Sequence, residues 1–262
     1  MAEPAHAEVD EPERPDPRRG IVSFADRGGR MTAGQQRAWE RRWPTLGCEL
    51  AELGGRGLLH DDGSLDPAAW FGRDAPLRLE IGSGMGETTA ALAEAEPDAD
   101  HVAVEVYPPG LGQLLMRIEA AGLENLRLLR GDAIVVLRDH VAPDSLDNLR
   151  VYYPDPWPKR RHHKRRIVQP ETVALMASRL RPGATLHLAT DIADYADWML
   201  EVTDAEPRLE NPHGGFAPRP VWRPRTKFES RAEQEGRPSR DLLLVRTHGG
   251  AEPDPLVRTG TS

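Results

Sequence analysis

Cysteine is nearly absent from this 262-residue chain: Cys48 stands alone, and lysine occurs only three times. One thiol excludes an intramolecular disulfide framework and any cysteine-cluster zinc site. No run approaches the ~18 consecutive apolar residues of a membrane-spanning helix, so no membrane association is expected. The first residues are acidic and proline-rich, where a secretion signal would be basic and then apolar. The expected setting is the cytoplasm. The nine histidines are scattered, and no metal is expected. What remains is long enough for one large domain whose core needs no disulfide or metal staple.

The formal net charge of −8 conceals two basic segments. Residues 159–166 read Lys-Arg-Arg-His-His-Lys-Arg-Arg, six positive charges without an acid. Residues 218–231 carry Arg219, Arg223, Arg225, Lys227 and Arg231 against Glu229 alone, and all three lysines (Lys159, Lys164, Lys227) lie in these two segments. An acidic body with concentrated basic patches fits a specific anionic partner better than general adhesion to polyanions. A merely solvated surface is the plainer alternative.

Residues 1–20 hold four prolines among six acids and three arginines, with almost no bulky apolar side chains. Such a segment cannot offset the entropy of ordering and reads as a disordered tail; residues 248–262 read as a short flexible one. Residues 21–47 interleave Phe24, Trp39 and Trp43 with arginines, as a turn and a helix laid on the main domain with a cationic exposed side. From residue 77 strands and helices alternate. Strands are expected over Leu77–Gly82, His101–Val106, Leu126–Leu129, Leu149–Tyr153, Thr185–Ala189 and Leu242–Val245. Helical stretches are expected over Glu87–Glu94, Gly110–Ala121, Ala133–His140, Pro170–Leu180 and Ala193–Val202, with Pro182-Gly183 ending the fourth. This alternation implies an α/β fold with a mostly parallel sheet covered on both faces. Its ligand site belongs outside the carboxyl ends of the strands, where strand order reverses.

Four acids fall at those strand ends. Glu80 precedes Gly82-Ser83-Gly84-Met85-Gly86, where glycine at every second position permits a tight turn and close approach to a ligand. The spacing differs from the Gly-x-Gly-x-x-Gly of dinucleotide binders, and flanking Glu80 and Glu87 suit a cationic ligand better than a diphosphate. Glu105, at the second strand's tip, can accept both hydroxyls of a ribose. Asp132 is placed either to accept from an adenine amino group or to cap a helix. Asp155 lies in Tyr152-Tyr153-Pro154-Asp155-Pro156-Trp157, where two prolines stiffen the backbone and Trp157 offers a flat face to a base. A glycine loop, a ribose acid and an adenine acid on successive strands describe a site for S-adenosyl-L-methionine.

Over Ser23 to Arg246 the chain resembles the bacterial tRNA (guanine-N7)-methyltransferases of the class I, Rossmann-like methyltransferase fold. The likeness rests on Glu80-Ile81-Gly82-x-Gly84-Met85-Gly86-Glu87, Glu105-Val106 with Pro109-Gly110, Asp132-Ala133 and Pro154-Asp155-Pro156-Trp157-x-Lys159. It continues in Arg161-His162-x-Lys164-Arg165-Arg166, Ala189-Thr190-Asp191 and Arg223-Pro224-x-Thr226-Lys227-Phe228-Glu229. Upstream, Arg27-x-Gly29-Arg30-Met31-Thr32 with Gln35 is similar to the family's N-terminal arm. The resemblance implies a mostly parallel seven-stranded sheet with helices on both faces, in one domain over 21–247 with an arm over 21–76. It places the cofactor on Glu80, Gly82, Gly84, Gly86, Glu105 and Asp132, and catalysis on Asp155. Substrate falls to Lys159, Asp191, Thr226, Lys227, Phe228 and Glu229, and tRNA contact to Arg161, His162, His163, Lys164, Arg165 and Arg166. No obligatory protein partner is inferred. Tyr152-Tyr153 stands where phenylalanines are common in the family.

The chemistry agrees with that assignment. Guanine N7 carries an in-plane lone pair and no proton, so its attack on a sulfonium methyl needs no strong base. The sulfur loses its positive charge while the purine gains one. Catalysis then comes from alignment and from acceptors around the purine, such as Asp155 or Asp191.

Overall fold

The computed structural model describes Ser23, Phe24 and residues 28–247. The two expected tails and Arg27 of the arm lie outside the described residues.

Eight strands form one sheet: β1 (Gly47–Glu49), β2 (Leu77–Ile81), β3 (Asp100–Glu105), β4 (Leu126–Arg130), β5 (Leu146–Tyr152), β6 (Leu180–Thr190), β7 (Leu209–Glu210) and β8 (Arg240–Arg246). Their order is β1-β4-β3-β2-β5-β6-β8-β7. The first six run parallel, β8 lies antiparallel to β6, and β7 antiparallel to β8. Chain order therefore reverses at β2, which has β3 on one side and β5 on the other. The expected sheet gains one strand, because β1 adds a three-residue edge beside β4. Three residues are too few to show a periodicity.

The helices are α1 (Ala33–Leu46), α2 (Pro67–Phe71), α3 (Glu87–Ala95), α4 (Pro108–Ala121), α5 (Ala133–Val135, continued by a π turn over Val136–His140), α6 (Pro170–Arg179), α7 (Ala193–Asp204) and α8 (Lys227–Gln234). Local chemistry sets their ends. Thr32 accepts from the Gln35 amide while the Gln35 side chain accepts from the Thr32 amide, a capping box that starts α1. Pro108 and Pro170 occupy first turns that need no amide hydrogen, and Gly122 ends α4 in the left-handed region at φ +65°. Helix α6 stops at Arg179, one residue short of the expected Leu180. Pro182-Gly183 does not end it: these residues sit in an irregularity of β6, where pairing to β5 jumps from Leu146–Leu180 to Asn148–Thr185 and Gly183 has φ +83°. Proline withholds a ladder hydrogen bond and glycine allows the left-handed turn, so the strand bulges.

Side chains alternate across the sheet. Leu79, Ile81, Val102, Val104, Leu149, Val151, Leu186 and Leu188 enter the larger core with Val173 and Met176 of α6 and Tyr195 and Met199 of α7. On the other face Ala103, Leu126 and Leu128 pack against Ala90 of α3, Leu111, Leu114 and Leu115 of α4 and Ala38 of α1. Residues in register on that second face run Ala103–Glu80–Arg150–His187 across four strands. Three ionisable side chains are thus buried in one row, ending beside the carboxyl edge of the sheet.

Candidate active site

The loops after β2, β3, β4, β5 and β6 border one cleft of about 420 Å³, at the reversal of strand order. Gly82, Gly84 and Gly86 have φ of +75°, +54° and +70°, which a side chain would strain. Among the described residues, chain neighbours aside, no atom lies within 4 Å of where a Cβ on Gly82 or Gly84 would sit, so the loop leaves room for a ligand there. Gly86 instead packs tightly: a Cβ would strike Leu114 of α4. Gly110 of the same helix is equally constrained, since its Cβ would collide with the Gly84 carbonyl.

Glu80 lines the cleft and is 6% exposed. Burial pushes its carboxyl up to about 7 against the opposing charge of Arg150. Thr89 Oγ1 donates to Oε1 at 3.0 Å, while buried Oε2 has no hydrogen-bond partner among the described residues. A buried acceptor beside a glycine cradle fits the cationic methionine end of S-adenosyl-L-methionine. The Glu105 carboxylate accepts the Gly84 amide on Oε2 at 2.8 Å, and the Val106 and Tyr107 amides on Oε1 at 2.7 and 3.0 Å. It therefore pins the glycine loop as well as facing the cleft, and Oε2 retains a lone pair for a hydroxyl. Asp132 caps α5, accepting from the Ile134 amide at 2.9 Å, between Gly131 and Ala133 of the cleft wall.

Asp155 lines the cleft on a loop bracketed by two left-handed residues, Tyr153 at φ +49° and Trp157 at φ +45°. Bulky side chains rarely adopt this conformation, so the surroundings must hold it. Tyr153 is held through its phenol, which bonds Ser239 Oγ at 2.9 Å and accepts from Arg223 at 3.1 Å. Trp157 Nε1 donates to the Ser23 carbonyl at 3.1 Å. The indole face expected to meet a base carries the Arg165 guanidinium, 3.9 Å from the ring centroid.

The basic run forms a 3₁₀ turn over Arg160–Arg165, with Lys159 at its cap. Lys159, Arg161 and Lys164 are exposed, and His162 and His163 half-exposed. Partial loss of water and the neighbouring Arg161 lower the His162 pKa from its ordinary value. Arg166 departs from the expected RNA role. It is 3% exposed, donates to the Pro156 carbonyl at 2.9 Å, pairs with Asp194 and lies over the Tyr195 ring. The turn that points its neighbours outward directs Arg166 inward, where it fastens the Asp155 loop.

From the other side Asp191 and Thr226 line the cleft. Asp191 pairs with Arg237 at 3.4 Å, and Thr226 caps α8 by accepting from the Glu229 amide. The side chains of Lys227 and Phe228 lie outside the described structure. Glu229 does not line the cleft: it is 1% exposed and bound by Arg219 and Arg223, which hold its carboxyl low despite burial. Lys159 likewise stands outside the cleft wall. Sequence reasoning missed Arg237, and it missed Ser23 and Phe24 as wall residues.

A sheet reversing at β2, a left-handed glycine loop and acids on consecutive strand tips define a class I methyltransferase. The sequence model of the family described as "Putative methyltransferase" matches residues 74–242. The chain is 50% identical over 230 residues to the tRNA (guanine-N(7)-)-methyltransferase of Streptomyces avermitilis, covering 87% of this chain and 76% of that protein. It is 48% identical over 238 residues to the protein of the same name in Alcanivorax borkumensis, covering 90% and 95%. Among solved structures it is similar to the 16S rRNA methyltransferase KamB at a TM-score of 0.48 and 15% identity, over 87% of this chain and 98% of that one. The chain belongs to the tRNA (guanine-N(7)-)-methyltransferase family.

Proposed function

We propose that this chain transfers the methyl group of S-adenosyl-L-methionine to N7 of a guanine in the tRNA variable loop, forming 7-methylguanosine. One observation carries the reading: a single cleft borders on Glu80, Gly82, Gly84 and Glu105 on one side and on Asp155, Asp191 and Thr226 on the other. The cofactor, when bound, supplies an electrophilic methyl on a sulfonium. Glu80 offers its unpartnered oxygen to the cationic end, Gly82 and Gly84 admit the ligand to the backbone, Gly86 sets the tight packing behind it, and Glu105 accepts from the ribose. Asp132 shapes the wall nearest the adenine.

Asp155 and Asp191 accept from the N1 and amino hydrogens of guanine. Both contacts strengthen as the ring becomes cationic, so they lower the barrier rather than only binding substrate. No proton leaves N7. Arg161, His162, His163, Lys164 and Arg165, together with Lys159, hold phosphates at the mouth of the cleft and fix register, while the pocket selects the base. Thr226, Lys227 and Phe228 are assigned to substrate, with Glu229 anchoring them from below. The domain extends over 21–247, with 21–76 as its arm, and works in the cytoplasm, where tRNA is met, without an obligatory protein partner.

Incubation of an unmodified tRNA transcript with methyl-labelled cofactor, followed by chemical cleavage at 7-methylguanosine, tests the reading. Label and one break in the variable loop are expected. Unlabelled tRNA, or label confined to another position, contradicts it.

A further inference from the structure

Within the second basic segment Arg223 is buried, 1% exposed. Its guanidinium binds two carboxylates, each with two nitrogens. Nε and NH2 donate to Asp241 Oδ1 and Oδ2 at 2.9 and 3.0 Å, and NH1 and NH2 to Glu229 Oε2 and Oε1 at 3.1 and 2.8 Å. NH1 also reaches the Tyr153 phenol at 3.1 Å, and NH2 reaches Ser239 Oγ at 3.3 Å. Asp241 continues the chain to His187 Nε2 at 2.7 Å, and His187 Nδ1 meets the Tyr152 phenol at 2.7 Å. A carboxylate only accepts, so His187 carries its proton on Nε2 and accepts from Tyr152 on Nδ1. Two arginines, half-buried Arg219 and buried Arg223, balance two buried acids, Glu229 and Asp241.

The network reaches both sides of the cleft, through Tyr153, which lines it, and through Glu229, which lies behind Thr226 of the opposite wall. Tyr153 is the left-handed residue two positions before Asp155. Glu229 lies in the first turn of α8, where its amide is capped by Thr226. We infer that Arg223 is a positioning residue for methyl transfer: it fixes the Asp155 loop and the Thr226 end of α8 against each other, so that both meet the same guanine. A guanidinium suits the task because its planar fork sets the angle as well as the distance between two carboxylates; an ammonium sets neither. The Tyr153 phenol adds a third leg. The inference rests on the proposed role of Asp155 and goes beyond it in naming what holds that aspartate in place.

The test is steady-state and single-turnover methylation of tRNA by Arg223→Lys, Tyr153→Phe and the double variant, beside calorimetric titration with cofactor. Arg223→Lys keeps the charge and loses the fork; kcat is expected to fall ~10- to 100-fold, with cofactor affinity within about twofold and tRNA KM within about threefold of the unaltered protein. Tyr153→Phe, which removes one hydroxyl and leaves the packing, is expected to lower kcat by roughly 2- to 5-fold with the same split, and the double variant to be no slower than Arg223→Lys alone. Unaltered kcat in both single variants overturns the inference, as does loss of cofactor affinity in step with activity. Should Arg223→Lys fail to fold, Tyr153→Phe decides alone, and full activity in it overturns the inference. Inactivity of the unaltered protein would count against the proposed function instead.

Discussion

The indole of Trp157 donates to the carbonyl of Ser23 and lies under the guanidinium of Arg165. One side chain thus joins the N-terminal arm to the basic turn across the mouth of the cleft. Trp157 has φ +45°, a conformation retained only where neighbours fix it.

Trp157→Phe keeps a ring for Arg165 and removes the donor to Ser23. Loss of one such bond costs about 0.5–1.5 kcal/mol. The expected result is a 2- to 10-fold fall in kcat/KM for tRNA with a fall in melting temperature of no more than about 6 °C. Steady-state kinetics and a thermal melt check it; a fall in melting temperature without a kinetic effect contradicts it.

Glu80 predicts a pH dependence of cofactor binding. Its pKa in the ligand-free fold is raised to about 7 by burial, from an ordinary 4.5. The folded state therefore binds more protons than the unfolded one between these values, and this group's contribution to stability falls as pH rises from 4.5 through 7. A cationic ligand beside Oε2 favours the ionised form. Affinity is then expected to rise from pH 6 to pH 8, by at most about tenfold per pH unit below 7. Glu80→Gln should bind more weakly, with a flat profile over that range. Calorimetry at three pH values decides it, and a flat profile in the unaltered protein contradicts the role of Glu80.

Gly110→Ala separates helix propensity from packing. Alanine inside a helix stabilises by about 1 kcal/mol over glycine, but here the added Cβ meets the Gly84 carbonyl. The clash pushes α4 off the glycine loop, so cofactor affinity should drop by ~10-fold or more. A variant that binds as well and melts higher would show that the loop does not depend on this contact.

The basic run divides by burial. Arg161→Ala and Lys164→Ala remove exposed cations, and each is expected to reduce the salt slope of tRNA binding by about one without changing stability. Arg166→Ala removes a buried one and leaves the Pro156 carbonyl without its donor. It is expected to cost about 2–3 kcal/mol, a fall of roughly 5–10 °C in the melting temperature. An Arg166 variant that melts normally but loses salt dependence would return this residue to the RNA surface.

The legible parts of the molecule were those whose chemistry is local. Glycine spacing, an acid at the tip of an apolar run and prolines around Asp155 each state their purpose within eight residues, and the strands bearing them fell within a few residues of their places. Strand β1 was too short to show a pattern, and the bulge at Pro182-Gly183 read as a helix end because both use the same residues. Arg166 and Glu229 were misplaced for a different reason: each was assigned by its neighbours in sequence, while partners 28 and 10 positions away, Asp194 and Arg219, draw them inward. The Arg223–Glu229 pair falls within one seven-residue segment, but the links to Tyr153, Asp241 and His187 are tertiary, so no window of sequence contains the whole network.

Nucleophilic attack by guanine N7 is the central claim. Single-turnover methylation of two otherwise identical transcripts tests it most directly, one of them carrying 7-deazaguanosine, whose ring has a C–H in place of N7. The unaltered transcript should take up one methyl per molecule and the substituted one none, with binding of the two alike. Equal methylation of both would contradict the account.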